Sequence, residues 1–282
     1  MKLLRFGARG RERPGVLDSA GVIRDISMLT DDIHGRSLSG GLVARLDAMD
    51  LSALPTIDPS LRRAEPVADV GKFICVGLNY SDHARESGMA LPDEPVLFMK
   101  ATSAICGPDD DTLLPRGATK VDWEVELGVV IGRRARYVPR ETAMAHVAGF
   151  CVVNDLSERA FQLERGGQWV KGKSCDSFGP FGPWLVTPDE AGDLGNLGLW
   201  LDVNGRRMQD GSTHYMVFDV PYLVHYISQF MTLEPGDLIS TGTPPGVGLG
   251  MNPPTWLAEG DVVELGIDGL GRQRHRVVAC LD

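Results

Sequence analysis

The sequence predicts an α+β protein that is mainly β, and two observations carry this prediction. Short apolar runs recur along the chain and are flanked by glycine, proline, asparagine or aspartate, for example FICVGL (73–78), FCVV (150–153) and VVELGI (262–267). Only one long helix is indicated clearly, from about Val220 to Phe230. Many short strands with few helices differ from the regular strand–helix alternation of a doubly wound α/β fold.

Composition narrows the class of protein. The 282 residues are 43% hydrophobic and 23% charged, as in ordinary globular proteins with a substantial core. The formal net charge of −10 gives no basic footprint for nucleic acid. No window approaches the roughly 20 apolar residues of a membrane span, and the N-terminus lacks the pattern of a signal peptide. Five scattered cysteines without a C-x-x-C pair indicate reduced thiols, so we expect a cytoplasmic protein without nucleic-acid or membrane partners.

The chain divides by pattern into two parts. Residues 1–68 are predicted to form a small N-terminal β module and linker, and residues 69–282 a larger catalytic domain. In the first part, MKLLRFG (1–7) and PGVLDSAGVIRDIS (14–27) read as strands, with a hairpin connection at 18–21. A helix is expected from Ser39 to Met49, before a proline-spaced linker.

Three carboxylates in the second part predict a metal site. In the strand Val121–Leu127 the apolar residues face the core, so Asp122, Glu124 and Glu126 share the opposite face. Glutamates two positions apart lie roughly 7 Å apart along a strand, and converging carboxylates repel unless a proton or a cation lies between them. An isolated Glu-x-Glu is more often a solvated strand face. A third carboxylate, Asp155 at the end of FCVV, favours the metal site.

The segment after Asp155 adds polar groups to the same site. If LSERAFQLER (156–165) is a helix, Asp155, Arg159 and Gln162 share one of its faces. Asp155 with Glu158 also fits a helix N-cap and its capping-box partner, so a purely structural role is an alternative. Three carboxylates without histidine or cysteine form an all-oxygen site, which suits Mg²⁺, Mn²⁺ or Ca²⁺ better than Zn²⁺.

A histidine–glutamate pair is the candidate for proton transfer. NYSDHARESG (79–88) predicts a short helix ending at Gly88, on which His83 and Glu86 lie one turn apart. A histidine held by a carboxylate can act as a general base toward water. A surface contact is the alternative. Two glycine- and proline-rich loops follow, KGKSCDSFGPFGP (171–183) with two lysines and STGTPPGVG (240–248), which lacks the ending of a phosphate-binding P-loop.

Six segments in this order resemble the fumarylacetoacetate hydrolase family, from about Lys72 to Val278. They are GLNYSDHARESG, PVLFMK, VDWEVELGVVIG, VVNDLSERAFQ, KGKSCDSFGPFGP and DLISTGTPPGVG. The resemblance implies a β-roll or β-sandwich-like catalytic domain and a homodimer. It further implies a Mg²⁺- or Mn²⁺-dependent hydrolase that cleaves a carbon–carbon bond in a small 2,4-dioxo acid.

The resemblance also implies roles for individual residues. The implied metal ligands are Glu124, Glu126 and Asp155. The implied catalytic residues are His83 and Glu86, which activate water, and Lys173, which stabilises developing negative charge. The implied substrate-binding residues are Arg159, Gln162, Thr243 and Tyr80. Asn79 departs from the family pattern, which has a further carboxylate there, so either Asn79 or water completes the metal shell.

Several reactions stay open at this stage. Within the family the chain most resembles bacterial members described as hydrolases of 2,4-dioxo-3-deoxy sugar acids, such as 2,4-diketo-3-deoxy-L-fuconate, which implies a role in sugar acid catabolism. Very similar sequences are described as ureidoglycolate lyases, and an acylpyruvate is the other dioxo-acid substrate class. Decarboxylation of oxaloacetate, and isomerisation or hydration of an oxo acid, need the same ligands. A protein without catalytic activity, in which a bound ion only stabilises the fold, is the remaining alternative.

Overall fold

The computed structural model describes residues 1–86 and 90–280, without the side chains of His83, Ala84 and Glu86. The strands in this part of the chain are β1 (Lys2–Phe6), β2 (Arg13–Leu17), β3 (Ile23–Asp25), β4 (Arg63–Ala64), β5 (Phe73–Gly77), β6 (Val96–Lys100), β7 (Ile105–Cys106), β8 (Thr112–Leu114), β9 (Val121–Asp122), β10 (Val125–Ile131), β11 (Val147–Asn154), β12 (Ser157–Glu158), β13 (Gly179–Val186), β14 (Gly198–Val203), β15 (Arg206–Ser212), β16 (Leu238–Ser240), β17 (Val262–Ile267) and β18 (Gly271–Ala279). The helices are α1 (Gly35–Ser39), α2 (Leu42–Asp47), α3 (Ser81–Glu86), α4 (Arg159–Leu163), α5 (Val170–Lys173) and α6 (Val220–Phe230).

A large mixed sheet forms the centre of the molecule. Its main path runs β3-β2-β1-β13-β11-β10-β16-β5-β6, with β4 beside β1 and β7 beside β13. The central strand β10 is buried along its whole length because neighbouring strands flank it and both faces of the sheet are covered. Such a strand reads as a nearly continuous apolar run, and Glu126 is therefore an exception that requires a reason.

A second sheet covers one face of the large sheet. It has the order β15-β14-β17-β18-β8, and its inner side chains, such as Leu201 and Leu265, join one buried cluster with Leu127 and Val129 of β10. Helix α6 contributes Leu223 and other apolar residues to this cluster. The two packed sheets confirm the prediction of a mainly β architecture.

The N-terminal helices cover the opposite face. Leu38 of α1 and Leu42 and Leu46 of α2 form a cluster with Val130 of β10 and Val153 of β11. Strand β1 pairs with β13, so the N-terminal segment continues the large sheet. The boundary proposed at residue 68 stays a prediction.

Two helix predictions were wrong. The single helix expected from Ser39 to Met49 is interrupted at Gly41, whose φ of 81° is left-handed and separates α1 from α2. The helix expected directly after Asp155 begins only at Arg159, because residues 157–158 pair as a strand with β9 and Glu158 caps the helix through Phe161 N at 2.6 Å. The predicted helix from Val220 to Phe230 and the hairpin at 18–21 were correct. None of the helices in the described segments has the length and apolar character needed to span a bilayer.

Asn79 joins three parts of the chain behind the central sheet. Its buried amide donates to the carbonyls of Phe218 (3.0 Å) and Thr241 (2.7 Å) and accepts from the backbone N–H of Phe218 (2.8 Å). This amide therefore satisfies backbone groups that would otherwise be buried without partners.

Replacing this amide is expected to destabilise the fold. We expect Asn79→Ala to lower the free energy of unfolding by about 2–4 kcal/mol, because a buried polar group left without a partner costs about 1–3 kcal/mol. Denaturant unfolding with a chelator present measures the difference. Asn196→Ala is the matched control, since this exposed amide accepts one bond from Ser212 and its loss should cost under about 0.5 kcal/mol. Equal stability of the two variants would contradict the role given to Asn79.

Candidate metal centre

A cavity of about 360 Å³ opens beside the ends of β5, β10 and β11. Its volume falls within the range of small-molecule sites, roughly 300–1,000 Å³. The floor is polar and includes Glu124, Glu126 and Asp155, whereas the wall and mouth are apolar. Floor and wall therefore differ sharply in chemistry.

The three predicted metal ligands meet at this floor. Glu124, Glu126 and Asp155 are all buried, and one carboxylate oxygen from each lies within 4.8 Å of the others. The N–H of Asp155 donates to the carbonyl of Glu124 at 2.9 Å, which joins the end of β11 to the start of β10. Three carboxylate oxygens at this spacing match the ligands that Mg²⁺ and Mn²⁺ prefer.

Glu126 lies inside the central strand, and hydrogen bonds from the last residue of β16 and from the loop after it hold its carboxylate. Its Oε2 accepts hydrogen bonds from Ser240 Oγ (2.6 Å) and the N–H of Gly242 (2.8 Å). Burial and the negative charges of Asp155 and Glu124 raise the pKa of Glu126 well above its ordinary value. Without a cation, this carboxyl group therefore tends to keep its proton.

Two lysines neutralise part of this charge. Lys173 of α5 donates from Nζ to Glu124 Oε2 (2.6 Å) and Asp155 Oδ2 (2.8 Å). Lys100, at the end of β6, pairs with the other oxygen of Asp155 and donates to the carbonyl of Leu156 at 2.9 Å. Despite burial, the carboxylates raise the pKa of Lys173, so it carries a positive charge.

Arg159 connects the metal ligands to a neighbouring acid. Its guanidinium donates to Asp122 (2.8 Å), to Glu124 Oε1 (2.6 Å) and to Gln162 Oε1 (3.1 Å). Despite burial, the cations Lys173 and Arg159 lower the pKa of Glu124 to about 2. Asp122 also accepts from backbone N–H groups of the loop at 248–249, so it orients Arg159 instead of binding the ion.

The charges at the floor do not cancel. The acids are Asp122, Glu124, Glu126 and Asp155, and the cations are Lys100, Arg159 and Lys173. Four negative and three positive charges leave one negative charge when all groups are ionised. A divalent cation would change the total to one positive charge, which suits an anionic ligand. The donor set and the charge together therefore fit a divalent metal ion.

The structure brings together most of the predicted site residues. Arg159, Gln162 and Thr243 line the cavity with the three ligands and Lys173. Arg159 and Gln162 do so from α4, but Asp155 precedes that helix, so the shared helical face expected for all three was wrong. Thr243 donates its hydroxyl to the carbonyl of Val125 at 2.9 Å, which fixes its position beside the two glutamates of the floor.

Four other residues from the sequence analysis do not line the cavity in the described part of the structure. Tyr80 is completely buried behind the floor, does not line the cavity, and its hydroxyl has no hydrogen-bond partner among the described groups. The side chains of His83 and Glu86 lie outside the described part of the structure, so their pairing stays a prediction. The amide of Asn79 binds three backbone groups, which accounts for its burial without a metal contact.

Sequence reasoning missed Lys100 and the apolar wall. Lys100 ends the apolar run PVLFMK, and a terminal lysine commonly reaches solvent, so nothing local indicated its burial. The wall includes Phe98 and Trp169, which lie 71 positions apart in the chain and touch at a ring-centroid distance of 5.2 Å. Only the fold brings these rings together.

Metal binding is expected to release a proton from Glu126. The raised pKa means that the proton must leave before the carboxylate binds an ion, so affinity for Mn²⁺ should increase as pH rises from about 6 to about 8, by up to about tenfold per unit. Calorimetric titration in two buffers of different ionisation enthalpy measures the released proton. Affinity that does not vary with pH, with equal heats in both buffers, would show that Glu126 is already ionised.

Removal of the Lys100 ammonium group is expected to lower the free energy of unfolding of the metal-free protein strongly. Lys100→Met leaves Asp155 with Lys173 as its remaining cation, and breaking a buried pair costs about 3–5 kcal/mol. Excess Mn²⁺ should reduce this loss because the ion compensates Asp155. Denaturant unfolding with chelator and with Mn²⁺ tests both points. Lys120→Met is the control, since its pair with exposed Glu164 should contribute under about 1 kcal/mol; a similar effect of both variants would refute the assignment.

Comparison with known proteins gives the family of this chain. The model of the fumarylacetoacetate hydrolase C-terminal domain matches residues 72–278. A protein of Burkholderia orbicola, named provisionally as a hydrolase, is 56% identical over 277 residues and 98% of each chain. Fumarylacetoacetate hydrolase of Exiguobacterium antarcticum has a similar structure, with a TM-score of 0.87 and 38% identity over 99% of this chain and 100% of that one.

Two further solved structures differ in reaction. Maleylpyruvate hydrolase of Sphingobium sp. SYK-6, in complex with manganese(II) and pyruvate, has a TM-score of 0.82 and 31% identity over 99% of each chain. The 5-carboxymethyl-2-hydroxymuconate delta-isomerase of Mycobacterium smegmatis has a TM-score of 0.80 and 32% identity over the full length of both chains. On this match in sequence and fold, the chain belongs to the fumarylacetoacetate hydrolase family.

Proposed function

We propose that this protein is a Mg²⁺- or Mn²⁺-dependent hydrolase that cleaves a carbon–carbon bond in a 2,4-dioxo acid. The observation that carries the proposal is the buried set of Glu124, Glu126 and Asp155 beside the charged Lys173. A fold needs no such concentration of buried charge for stability, since buried ion pairs contribute little net stabilisation. The similar maleylpyruvate hydrolase, solved with manganese and pyruvate, supports the same choice.

The proposed reaction adds water across one carbon–carbon bond. Water attacks the carbonyl at C4, the bond between C3 and C4 breaks, and its electron pair passes to the pyruvate unit. That unit gains one proton at C3 and leaves as pyruvate, while the acyl group leaves as a carboxylate and one further proton is released. The products are therefore two carboxylic acids formed from one dioxo acid and one water.

The metal ligands have a defined task in this proposal. Glu124, Glu126 and Asp155 would hold the divalent ion at the floor of the cavity. When bound there, the ion supplies a Lewis acid that polarises oxygens of a 2-oxo acid. The single positive charge expected at the floor attracts the substrate carboxylate, which would otherwise be repelled by three neighbouring acids.

The other floor residues bind substrate and stabilise charge. Lys173 is buried and cationic, so its ammonium group can stabilise negative charge that develops on the oxygens of the departing pyruvate unit. Arg159 and Gln162 line the cavity and are bonded to each other, and Thr243 lines it beside Val125. We assign these three residues to substrate binding.

Water activation is assigned to His83 and Glu86. Helix α3 spans Ser81–Glu86, so the two positions lie three residues apart on one helix, which is the spacing that lets a carboxylate orient an imidazole. Tyr80 directly precedes this helix. The buried hydroxyl of Tyr80 lacks a partner among the described residues, which favours a contact with the polar side chains of α3.

A second reaction on the same site is isomerisation of an unsaturated oxo acid. The 32% identity to a delta-isomerase over the full chain favours it as the first alternative. Decarboxylation of oxaloacetate and lysis of ureidoglycolate are the other reactions to compare. The homodimer and the cytoplasmic location also stay predictions.

The proposal predicts ion-dependent cleavage that requires Lys173. With Mg²⁺ or Mn²⁺ present, the enol absorbance of an acylpyruvate or a 2,4-dioxo-3-deoxy sugar acid should decay, and pyruvate or the corresponding 2-oxo acid should appear. Lys173→Met should lower kcat by about 100-fold or more. Lys171→Met is the matched control, because Lys171 is exposed on the same helix and donates to the carbonyl of Arg165.

Other outcomes would replace the proposed reaction. Conversion of an unsaturated oxo acid without release of a second acid would establish the isomerase alternative. Activity confined to oxaloacetate or ureidoglycolate would keep the metal site and reject the dioxo-acid hydrolase. Equal loss of activity in Lys171→Met and Lys173→Met would reject the role of Lys173 at the reacting atoms.

A further inference from the structure

We propose that the substrate carries an uncharged, apolar group at its distal end, and that Trp169 is the main residue that selects for it. This inference rests on the proposed function and narrows its substrate class. It favours an acylpyruvate with an alkyl or aryl chain over a dicarboxylic dioxo acid or a hydroxylated sugar acid.

The cavity above the charged floor is apolar. Its wall and mouth are formed by side chains from β5, β6, α4, α5 and the loop after β16. The apolar side chains of this lining include Val76, Leu78, Phe98, Leu163, Trp169 and Leu249. Apolar surface of this kind binds hydrocarbon, because water released from both surfaces favours their contact.

The cations of the cavity are already paired at its floor. Arg159 binds Asp122 and Glu124, and Lys173 binds Glu124 and Asp155. Among the described residues no further arginine, lysine or histidine lines the cavity. A second carboxylate at the distal end of a substrate would lose its hydration without gaining an ion pair, and that loss is costly.

A sugar chain faces a similar difficulty. Each buried hydroxyl group needs a hydrogen-bond partner to offset the loss of water. The polar side chains Gln162 and Thr243 of the lining are bonded to Arg159 and to the carbonyl of Val125, so they lie with the charged floor, where the 2-oxo acid end is expected. Above them the described wall offers hydrocarbon and aromatic rings.

Trp169 occupies a fixed position in this wall. Its ring meets Phe98 edge to face at a centroid distance of 5.2 Å, and Phe98 lies 5.1 Å from the ammonium group of Lys173. On its other side, a Cβ added to Gly77 would lie 3.0 Å from the Trp169 ring, so the absence of a side chain at this position makes room for it. The ring therefore packs against one face of the paired strands β5 and β6.

Trp169 is also tied directly to the charged floor. The N–H of Lys173 donates to the carbonyl of Trp169 at 3.1 Å, across the single turn of α5. The residue that contacts the distal group and the residue that faces the reacting end are therefore held four positions apart on one rigid turn. Leu163 and Leu249, exposed by 47% and 41%, continue the apolar surface to the rim.

The test compares matched substrates. With Mn²⁺ present, kcat/KM should rise by about two- to fourfold per methylene from acetylpyruvate to hexanoylpyruvate, given about 0.8 kcal/mol for a fully buried methylene. Adipoylpyruvate, which has the same chain length with a terminal carboxylate, should be at least about tenfold poorer than hexanoylpyruvate. Equal or better use of adipoylpyruvate or of a dioxo sugar acid would overturn the inference.

Substitution of Trp169 tests the residue assignment. Trp169→Ala should lower kcat/KM for hexanoylpyruvate by about tenfold or more and leave acetylpyruvate within about threefold, whereas Trp169→Phe should retain most of the preference. Val170→Ala is the matched control, because Val170 belongs to the same helix, is exposed and does not line the cavity. An equal loss for both substrates in Trp169→Ala would reject a role in selectivity.

Equilibrium binding separates this inference from the proposed function. In calorimetric titrations of the Mn²⁺-loaded protein, 2-oxooctanoate should bind at least about tenfold more tightly than pyruvate or 2-oxosuberate, and Trp169→Ala should remove the difference. This preference without cleavage of any dioxo acid would reject the hydrolase and retain the apolar site. Cleavage of a dioxo acid without this binding preference would reject the apolar site and retain the hydrolase. The absence of both cleavage and preference would reject the hydrolase and the apolar site.

Discussion

Four carboxylates, three of which line one cavity, are buried close together, and burial weakens the screening of their repulsion by water. In such an environment each unpaired charge costs several kcal/mol, so the surrounding structure must supply partners. Lys100, Arg159 and Lys173 supply them from three separate elements, and the backbone N–H of Gly242 adds another donor. When all of these groups are ionised, one negative charge remains unbalanced, which suits the site to a divalent ion.

The fold holds these carboxylates and cations in position. The central strand β10 carries Glu126 in the large sheet, between the second sheet and the N-terminal helices. Across the short interruption between β9 and β10, Asp122 and Glu124 both contact Arg159, and Glu124 also contacts Lys173. The second sheet and the N-terminal helices cover the two faces of the large sheet, which keeps its carboxylates away from bulk water and preserves the strength of their interactions.

Local pattern predicted the two glutamates of this site, although Glu124 lies in the interruption between β9 and β10. The period of two placed Glu124 and Glu126 on the same side of the chain, and both meet Asp155 at the floor. Asp155 lines the same cavity as Arg159, but it precedes α4 and does not share a helical face with Arg159. Lys100 pairs with Asp155 across 55 positions, and no local period encodes such a contact. The polar strand β15 was missed because its sequence, RRMQDGS, lacks apolar alternation.

The single turn from Trp169 to Lys173 connects the residue proposed for substrate selection with the residue proposed to stabilise negative charge. Because α5 is a single turn, a shift of Trp169 that accommodates a different acyl group would also displace Lys173, whose ammonium group bridges Glu124 and Asp155. Catalytic groups lose effectiveness when they are misplaced by about 1 Å. A shift of the main chain at Trp169 would thus affect the charged floor, whereas truncation of the Trp169 side chain, or a change at Leu249 on the loop after β16, would leave α5 in place. Within one family, substrate range can diversify more readily through that loop than through α5.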